Sequence, residues 1–194
     1  MISKISTLIS NQLVKHKIIS EDAQDVYKYG VEIIVSSFIG FVIVTLVGII
    51  FKALLQAMIF YVIFVALRSM TGGYHASTYL KCNTVFSLIS LFTIFFSKAS
   101  SEIQLSVEMI TLFFLPAVAI FLWLAPVENS NKPIEEKKRI YWKLTAVIIS
   151  VLLYILSILL YINQHIFESA VVTMTVFMVS ILCMIPFFQK GGKN

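Results

Sequence analysis

The sequence predicts an all-α polytopic membrane protein, with six transmembrane helices and an amphipathic N-terminal helix at the membrane interface. Of its 194 residues, 59% are hydrophobic and only 13% are charged. The apolar residues gather in six runs, and the basic residues lie near the ends of these runs. A soluble domain could not cover so much apolar surface with polar groups, so lipid is the expected solvent for most of the chain.

The first 30 residues form the predicted amphipathic region. Apolar residues alternate there with polar ones such as Lys4, Asn11, Gln12 and Lys15 instead of forming a continuous apolar core. This pattern predicts a helix lying on the membrane surface in contact with lipid. It is not the pattern of a cleavable signal peptide.

The region 31–188 is the predicted six-helix core of a single membrane-embedded domain, 1–194. The predicted spans are Val31–Phe51, Ala53–Leu67, Thr84–Ser97, Val107–Ala125, Leu144–Ile162 and Ser169–Phe188. The second and third runs are short, because about 1.5 Å per residue gives them only about 21–23 Å against a hydrocarbon core of about 30 Å. We expect them to borrow flanking residues, or the polar connection between them to dip into the membrane.

The distribution of charge predicts the orientation in the plasma membrane. With a cytoplasmic N-terminus, all of the 15 basic residues except Lys52 and Lys98 lie on the inner side. The positive-inside rule therefore predicts that both termini and the segments 68–83 and 126–143 are cytoplasmic. This placement explains the net charge of +5 without a nucleic-acid partner.

The predicted cytoplasmic loop 68–83 holds the densest set of reactive and turn-forming residues. His75 can act as a base or an acid near neutral pH, and the thiolate of Cys82 would be a strong nucleophile. Gly72 and Gly73 allow tight turns and close approach of a ligand, and their backbone N–H groups, with Arg68, are candidates to stabilise an oxyanion. These residue types permit catalysis by a cysteine nucleophile and a histidine base; a structural loop at the membrane interface is the alternative.

The spacing of His75 and Cys82 constrains this interpretation. In one straight helix the two residues would share a face but lie roughly 10.5 Å apart along the axis. A catalytic pair needs near hydrogen-bond distance. We therefore predict a break or a re-entrant turn within residues 72–82, or a pair that forms only when substrate binds.

The loop also carries a motif that extends beyond the two reactive residues. It resembles the pattern R-x-x-x-G-G-x-H-A-x-x-x-x-x-C of the accessory gene regulator B (AgrB) family, membrane peptidases of Gram-positive quorum sensing, and matches it at Arg68, Gly72, Gly73, His75, Ala76 and Cys82. The chain length, the six runs, the amphipathic N-terminus and the loop from Pro126 to Pro133 are also similar to that family.

The resemblance implies a function, a substrate and catalytic residues. The catalytic pair would be His75 and Cys82, and the substrate an AgrD-like pro-peptide whose acidic C-terminal tail is removed. The remaining peptide would be closed to a thiolactone or lactone autoinducing peptide. A homodimer is expected on the same ground, and no cofactor is expected.

The remaining polar residues have weaker interpretations. A basic group, Lys81, Lys137, Lys138 and Arg139, could attract the acidic substrate tail, or could only contact lipid and fix topology. Cys183 is expected to fill space in the last span, and no set of residues suggests a metal site. Spacing alone names no partner that orients His75; Ser77, Thr78, Asn83, Asn129 and a backbone carbonyl are all open.

Two rival functions are a small transporter and a scaffold without catalysis. The transporter interpretation rests on the six spans and the two short segments, which could be broken helices. It predicts ionisable residues near mid-membrane, and the runs are nearly free of them. The scaffold interpretation predicts that His75 and Cys82 can be replaced freely.

Overall fold

A computed structural model of the chain describes residues 2–74, 76, 78–102, 106–128 and 136–191, with the backbone alone at 137 and 189–191. These residues form seven α-helices and a 3-10 turn, Glu21–Ala23, that leads into the second helix. The helices are α1 (Ile2–Lys15), α2 (Gln24–Ile50), α3 (Leu54–Thr71), α4 (Tyr79–Glu102), α5 (Val107–Leu124), α6 (Glu136–Ile162) and α7 (Ile166–Gly191).

The predicted fold class is confirmed. Helices α2 to α7 are each long and apolar enough to cross a membrane. Large apolar side chains such as Leu112, Leu115 and Leu152 are exposed on their outer faces, where lipid can cover them. The chain is an all-α, multi-pass membrane protein.

The helices extend beyond the apolar runs that predicted them. Helix α4 has 24 residues and extends the run Thr84–Ser97 at both ends, so the third span borrows flanking residues, as the first of the two expectations had it. Helix α3 has 18 residues, or about 27 Å. Backbone pairing continues through polar residues until a cap or a turn ends the helix, so hydropathy marks the apolar centre of a helix better than its ends.

The predicted break within residues 72–82 is confirmed. Helix α3 ends at Thr71 and α4 begins at Tyr79. Gly72 and Gly73 have φ angles of +64° and +109°, a region of backbone conformation that residues with a Cβ rarely adopt. The glycine pair therefore ends α3 and turns the chain.

One compact unit consists of described residues within 1–43 and 76–87. In α1 the small polar residues Ser6 and Ser10 are fully buried, whereas Ile5, Leu8 and Ile9 are exposed. The apolar face of α1 thus points away from the rest of this unit. The predicted amphipathic helix is present; its position on the membrane surface stays a prediction.

A second compact unit consists of described residues within 44–75 and 88–194. Helix α7 is its centre, because α7 packs against α3, α5 and α6. Along α7 the side chains of Val171, Val172, Val176 and Val179 are fully buried. The backbone of α7 is therefore a fixed support for the segments that contact it.

A buried hydroxyl cluster joins α6 to α7 in this unit. The hydroxyl of Ser157 lies 2.9 Å from those of both Ser169 and Thr173. Ser169 also donates to the Ser157 carbonyl at 2.8 Å. Interhelical hydrogen bonds of this kind help to hold helices together in a membrane. The hydrophobic effect contributes little there, because lipid is as apolar as the side chains themselves.

Candidate active site

Of the two predicted catalytic residues, the structure describes Cys82, while His75 lies outside the described residues. The segment immediately before His75, residues 71–74, is described in full. Cys82 lies in the first turn of α4. The site is therefore built here from these two segments, each considered within its own unit.

The segment 71–74 is held against the start of the connection that follows α5. The Val127 N–H donates to the Thr71 carbonyl at 2.8 Å, and Gly72 and Val127 form an isolated parallel β-bridge. A Cβ added at Gly72 would collide with the Val127 carbonyl oxygen. Glycine is needed at position 72 both for its positive φ and for this close contact.

Arg68 holds the same segment from the last turns of α3. One guanidinium nitrogen, Nη1, donates to the Gly72 carbonyl, and Nη2 donates to the Tyr74 carbonyl at 2.6 Å. Arginine suits this task because its planar fork offers several N–H groups in a fixed arrangement. The Arg68 side chain thus bonds to the backbone of the turn that follows it, as far as Tyr74.

The third hold on the segment comes from α7. The Tyr74 N–H donates to the Leu182 carbonyl at 2.8 Å. A Cβ at Gly73 would lie 2.8 Å from the same carbonyl oxygen and 2.5 Å from Arg68 Nη1. Gly73 therefore passes through a gap between the guanidinium and the backbone of α7 that has no room for a side chain.

These contacts bear on the predicted oxyanion donors. The Gly72 N–H donates to the Arg68 carbonyl at 3.1 Å and so completes the end of α3. Within the described part of the chain, the Gly73 N–H makes no hydrogen bond. Gly73 is thus the better candidate of the pair, and Arg68 is engaged with the loop backbone; their role toward an oxyanion stays a prediction.

Cys82 is placed by the N-terminal cap of α4. The Thr78 hydroxyl accepts the Lys81 N–H at 3.3 Å, and the Cys82 N–H donates to the Thr78 carbonyl at 3.0 Å. This cap is the preferred arrangement for threonine before a helix. Cys82 is half-buried and lies in the first turn of α4.

The carboxylate of Glu32 on α2 lies close to this turn. Tyr79 donates its hydroxyl to Glu32 Oε2 at 2.6 Å, and the Ser6 hydroxyl donates to Glu32 Oε1 at 3.0 Å. Glu32 on α2 therefore connects α1 to Tyr79 in the first turn of α4. Tyr79 lies three residues before Cys82. Glu32 is the second residue of the predicted span Val31–Phe51, and a carboxylate there is costly in lipid unless it reaches the interface or has partners.

The open candidates for orienting His75 fall into two groups. Asn83 accepts a long hydrogen bond of 3.5 Å from Ser36, and Thr78 is occupied as the cap of α4. Ser77 and Asn129 lie outside the described residues.

The predicted basic group is partly described. Lys81, Lys138 and Arg139 are exposed, and Arg139 forms an ion pair of 3.4 Å with Glu128. The side chain of Lys137 lies outside the described residues. Exposed side chains of this kind can meet an acidic peptide or anionic lipid, and their role in binding a substrate tail stays a prediction.

The second cysteine, Cys183, is fully buried in α7. It follows Leu182, the residue whose carbonyl holds Tyr74. Its burial agrees with the expected role as an apolar filler. Pro186, four residues after Leu182, was not considered in the sequence analysis, although a proline within an apolar helix is a visible signal.

The sequence of the chain is similar to known proteins over nearly its whole length. The profile of the family described as accessory gene regulator B matches residues 6–185. An AgrB-like protein of Clostridium perfringens (strain SM101 / Type A) is 30% identical over 171 residues, which cover 84% of this chain and 80% of that protein. AgrB-like protein 2 of Clostridium perfringens (strain 13 / Type A) is 29% identical over 172 residues, with the same shares of both chains.

A more distant relative extends the comparison to another genus. Protein FsrB of Enterococcus faecalis (strain ATCC 47077 / OG1RF) is 27% identical over 108 residues, which cover 56% of this chain and 44% of that protein. No solved structure matches the chain. The profile match over residues 6–185 and the two clostridial relatives show that the chain belongs to the accessory gene regulator B family.

Proposed function

We propose that the protein is a membrane cysteine endopeptidase that processes an AgrD-like pro-peptide for quorum sensing. Family membership supports the broader role in processing an autoinducing peptide. The observation that carries the finer proposal is the rigid backbone of residues 71–74, held from three elements immediately before His75. A base needs such a fixed approach if it is to act on a nucleophile.

Cleavage would proceed through a thioester on Cys82. His75 takes the thiol proton, and the thiolate attacks the substrate carbonyl at the end of the core peptide. His75 then gives the proton to the amine of the departing tail, so that the C–N bond breaks and a C–S bond remains.

Ring closure would follow at the same sulfur. A thiol or hydroxyl within the substrate attacks the thioester, its proton passes to the Cys82 thiolate, and a thiolactone or lactone leaves. This transfer exceeds hydrolysis when the internal nucleophile is held close and water is kept out. The Gly73 N–H is a suitable donor to the oxyanion of both steps.

The predicted basic group would bind the acidic tail on the cytoplasmic side. Charge reversal by Lys138→Glu should raise the KM for the pro-peptide, and the effect should shrink as salt screens the attraction. Lys52→Glu is the matched control, because Lys52 lies in the connection after α2, which we place on the opposite side of the membrane. Equal KM values for the two variants would leave the basic group only its role in topology.

We also retain the other predictions that concern the whole molecule. The protein would be one membrane-embedded domain with cytoplasmic termini and a cytoplasmic catalytic loop, and the apolar face of α1 would rest in lipid. It would act as a homodimer. Crosslinking of cysteines introduced at exposed positions such as Leu8 tests assembly. Labelling of introduced cysteines by membrane-impermeant reagents tests orientation.

The decisive experiment is co-expression with the cognate pro-peptide, followed by mass analysis of the products. Cys82→Ala and His75→Ala should abolish tail removal while membrane insertion is retained. Cys183→Ala is the matched control, since its thiol is buried and should be dispensable for chemistry. Full processing by the Cys82→Ala variant would overturn the proposal and favour a transporter or a scaffold.

A further inference from the structure

We propose that Pro186 is a positioning residue for the catalytic loop: because it has no N–H, it leaves the Leu182 carbonyl of α7 free to accept the Tyr74 N–H. This inference rests on the proposed function and deepens it, since it names a residue far from the motif that shapes the segment before His75. It concerns groups on α3, α7 and the loop between α3 and His75, all within one compact unit.

The first step is the pairing within α7. In an α-helix the N–H of each residue donates to the carbonyl four residues earlier. Pro186 lies inside α7, which continues to Gly191. Proline has no N–H, so the carbonyl of Leu182 lacks the helical donor that every other residue type at position 186 would supply.

The second step is the partner that this carbonyl finds. The Tyr74 N–H donates to the Leu182 oxygen at 2.8 Å, and Leu182 itself is buried. A buried carbonyl or N–H without a partner is costly, most of all in a membrane protein. The Tyr74 N–H of the loop and the Leu182 carbonyl of α7 therefore satisfy each other. We call this pairing the exchange, and it fixes the position of Tyr74.

The third step is the fit around the contact. Gly73 has a φ of +109° and approaches so closely that a Cβ would lie 2.8 Å from the Leu182 oxygen. Tyr74 donates its N–H to Leu182, and its own carbonyl accepts a hydrogen bond from Arg68 Nη2 at 2.6 Å. Both backbone groups of Tyr74 are thus engaged, and the residue that follows is His75.

The exchange predicts an unusual response to substitution. Pro186→Ala removes a residue that disfavours helix, so α7 by itself should become more stable. The new N–H at position 186 competes with Tyr74 for the Leu182 oxygen, however, and the loop loses one of its holds. The variant should therefore be at least as stable as the wild type and yet process the pro-peptide more slowly.

The test compares full-length variants in lipid vesicles with purified pro-peptide, measuring kcat, KM and thermal stability. For Pro186→Ala we expect kcat to fall roughly three- to tenfold, the equivalent of one backbone hydrogen bond, with KM unchanged. Pro116→Ala is the matched control, because Pro116 lies inside α5 and no loop N–H of the described residues donates to the carbonyl four residues before it. Equal kcat values for the two variants would overturn the proposal.

A backbone ester separates the missing N–H from the missing ring. The α-hydroxy analogue of alanine at position 186 lacks both, and should restore the kcat that Pro186→Ala loses. An ester in place of the Tyr74 peptide N–H should lower kcat as Pro186→Ala does, and it keeps the test open if Pro186→Ala fails to fold. An ester at 186 that stays as slow as Pro186→Ala, or an ester at 74 with full activity, would refute the exchange.

Cys82→Ala, measured alongside, separates the two proposals. If it still removes the tail, the proposed function is wrong whatever Pro186→Ala does. If it is inactive while Pro186→Ala matches Pro116→Ala, only the role of Pro186 is wrong.

Discussion

Replacing Arg68 by lysine keeps the positive charge at the end of α3 but removes the fork that holds two carbonyl oxygens. In the native chain, Nη1 and Nη2 meet the carbonyls of Gly72 and Tyr74. A single ammonium on a flexible stem can reach one of these oxygens at a time. Arg68→Lys therefore tests whether the guanidinium acts as a clamp or only as a charge.

The structure sets the expected magnitude. A hydrogen bond from a charged donor contributes about 1.5–3 kcal/mol, and the variant loses one of the two. The population of the held loop relative to released forms should fall by about tenfold to a hundredfold, since about 1.4 kcal/mol corresponds to a factor of ten. Cleavage slows in proportion to the extent that the released loop becomes the major form.

Two measurements are needed. Single-turnover tail removal in vesicles gives the chemical rate, and hydrogen exchange of the peptide covering residues 72–76 reports whether the loop has been released. Arg139→Lys is the matched control, because Arg139 makes an exposed ion pair with Glu128 that contributes little. We expect it to change neither quantity by more than about twofold.

The possible outcomes separate the two roles of Arg68. Slower cleavage together with faster exchange supports the clamp. Slower cleavage with unchanged exchange would refute it and return Arg68 to the oxyanion. Cleavage within about twofold of the wild type, the range expected of a peripheral ion pair, would show that charge alone suffices.

Two further predictions concern the glycine pair and the buried carboxylate. Gly73→Ala should abolish processing and lower stability, because a positive φ costs about 1–3 kcal/mol and the Cβ has no room; Gly30→Ala, which meets nothing within 4 Å, should be tolerated in a thermal melt and in the processing assay. Tyr79→Phe and Glu32→Gln should each slow processing, and the double variant should lose no more than the worse single variant if the two side chains act through their shared hydrogen bond.

The sequence predicted the helices well because lipid imposes a simple rule. Every backbone group must be paired inside the membrane, so a long apolar run can only be a helix. The ends of the helices followed a different rule. Helix α4 continues beyond the predicted run Thr84–Ser97 at both of its ends, from Tyr79 to Asn83 and from Lys98 to Glu102, where most residues are polar. Hydropathy could not show this.

The break in the loop was also predictable, whereas its supports were not. Two adjacent glycines and the spacing of His75 and Cys82 indicated a turn. The groups that hold the turn, Val127 and Leu182, are distant in the sequence and act through their backbone. Every residue has a backbone carbonyl, and every residue except proline has an N–H, so the residue types at 127 and 182 do not indicate these contacts. Pro186 is the only one of the residues involved whose type indicates an altered backbone hydrogen bond.

The hydrogen bonds that order residues 72–74 stabilise the loop together, although each one alone contributes little free energy. Ordering residues 72–74 costs about 1–2 kcal/mol per residue, so about 3–6 kcal/mol in all. Three neutral backbone hydrogen bonds return about 0.5–1.5 kcal/mol each, and the two from the guanidinium about 1.5–3 each. The held state is therefore favoured by at most a few kcal/mol, and the loss of the Arg68 fork or of the Tyr74–Leu182 hydrogen bond should shift the equilibrium toward the released loop.

This near balance predicts how two changes combine. Arg68→Lys and Pro186→Ala remove supports from the same short segment, so the first change uses up the margin by which the held state is favoured, and the second then acts on a loop that is already partly released. The double variant should lose more in kcat than the product of the two single losses. A merely multiplicative loss would mean that Arg68 and Pro186 act on separate steps, and that the segment before His75 is not the common element on which both depend.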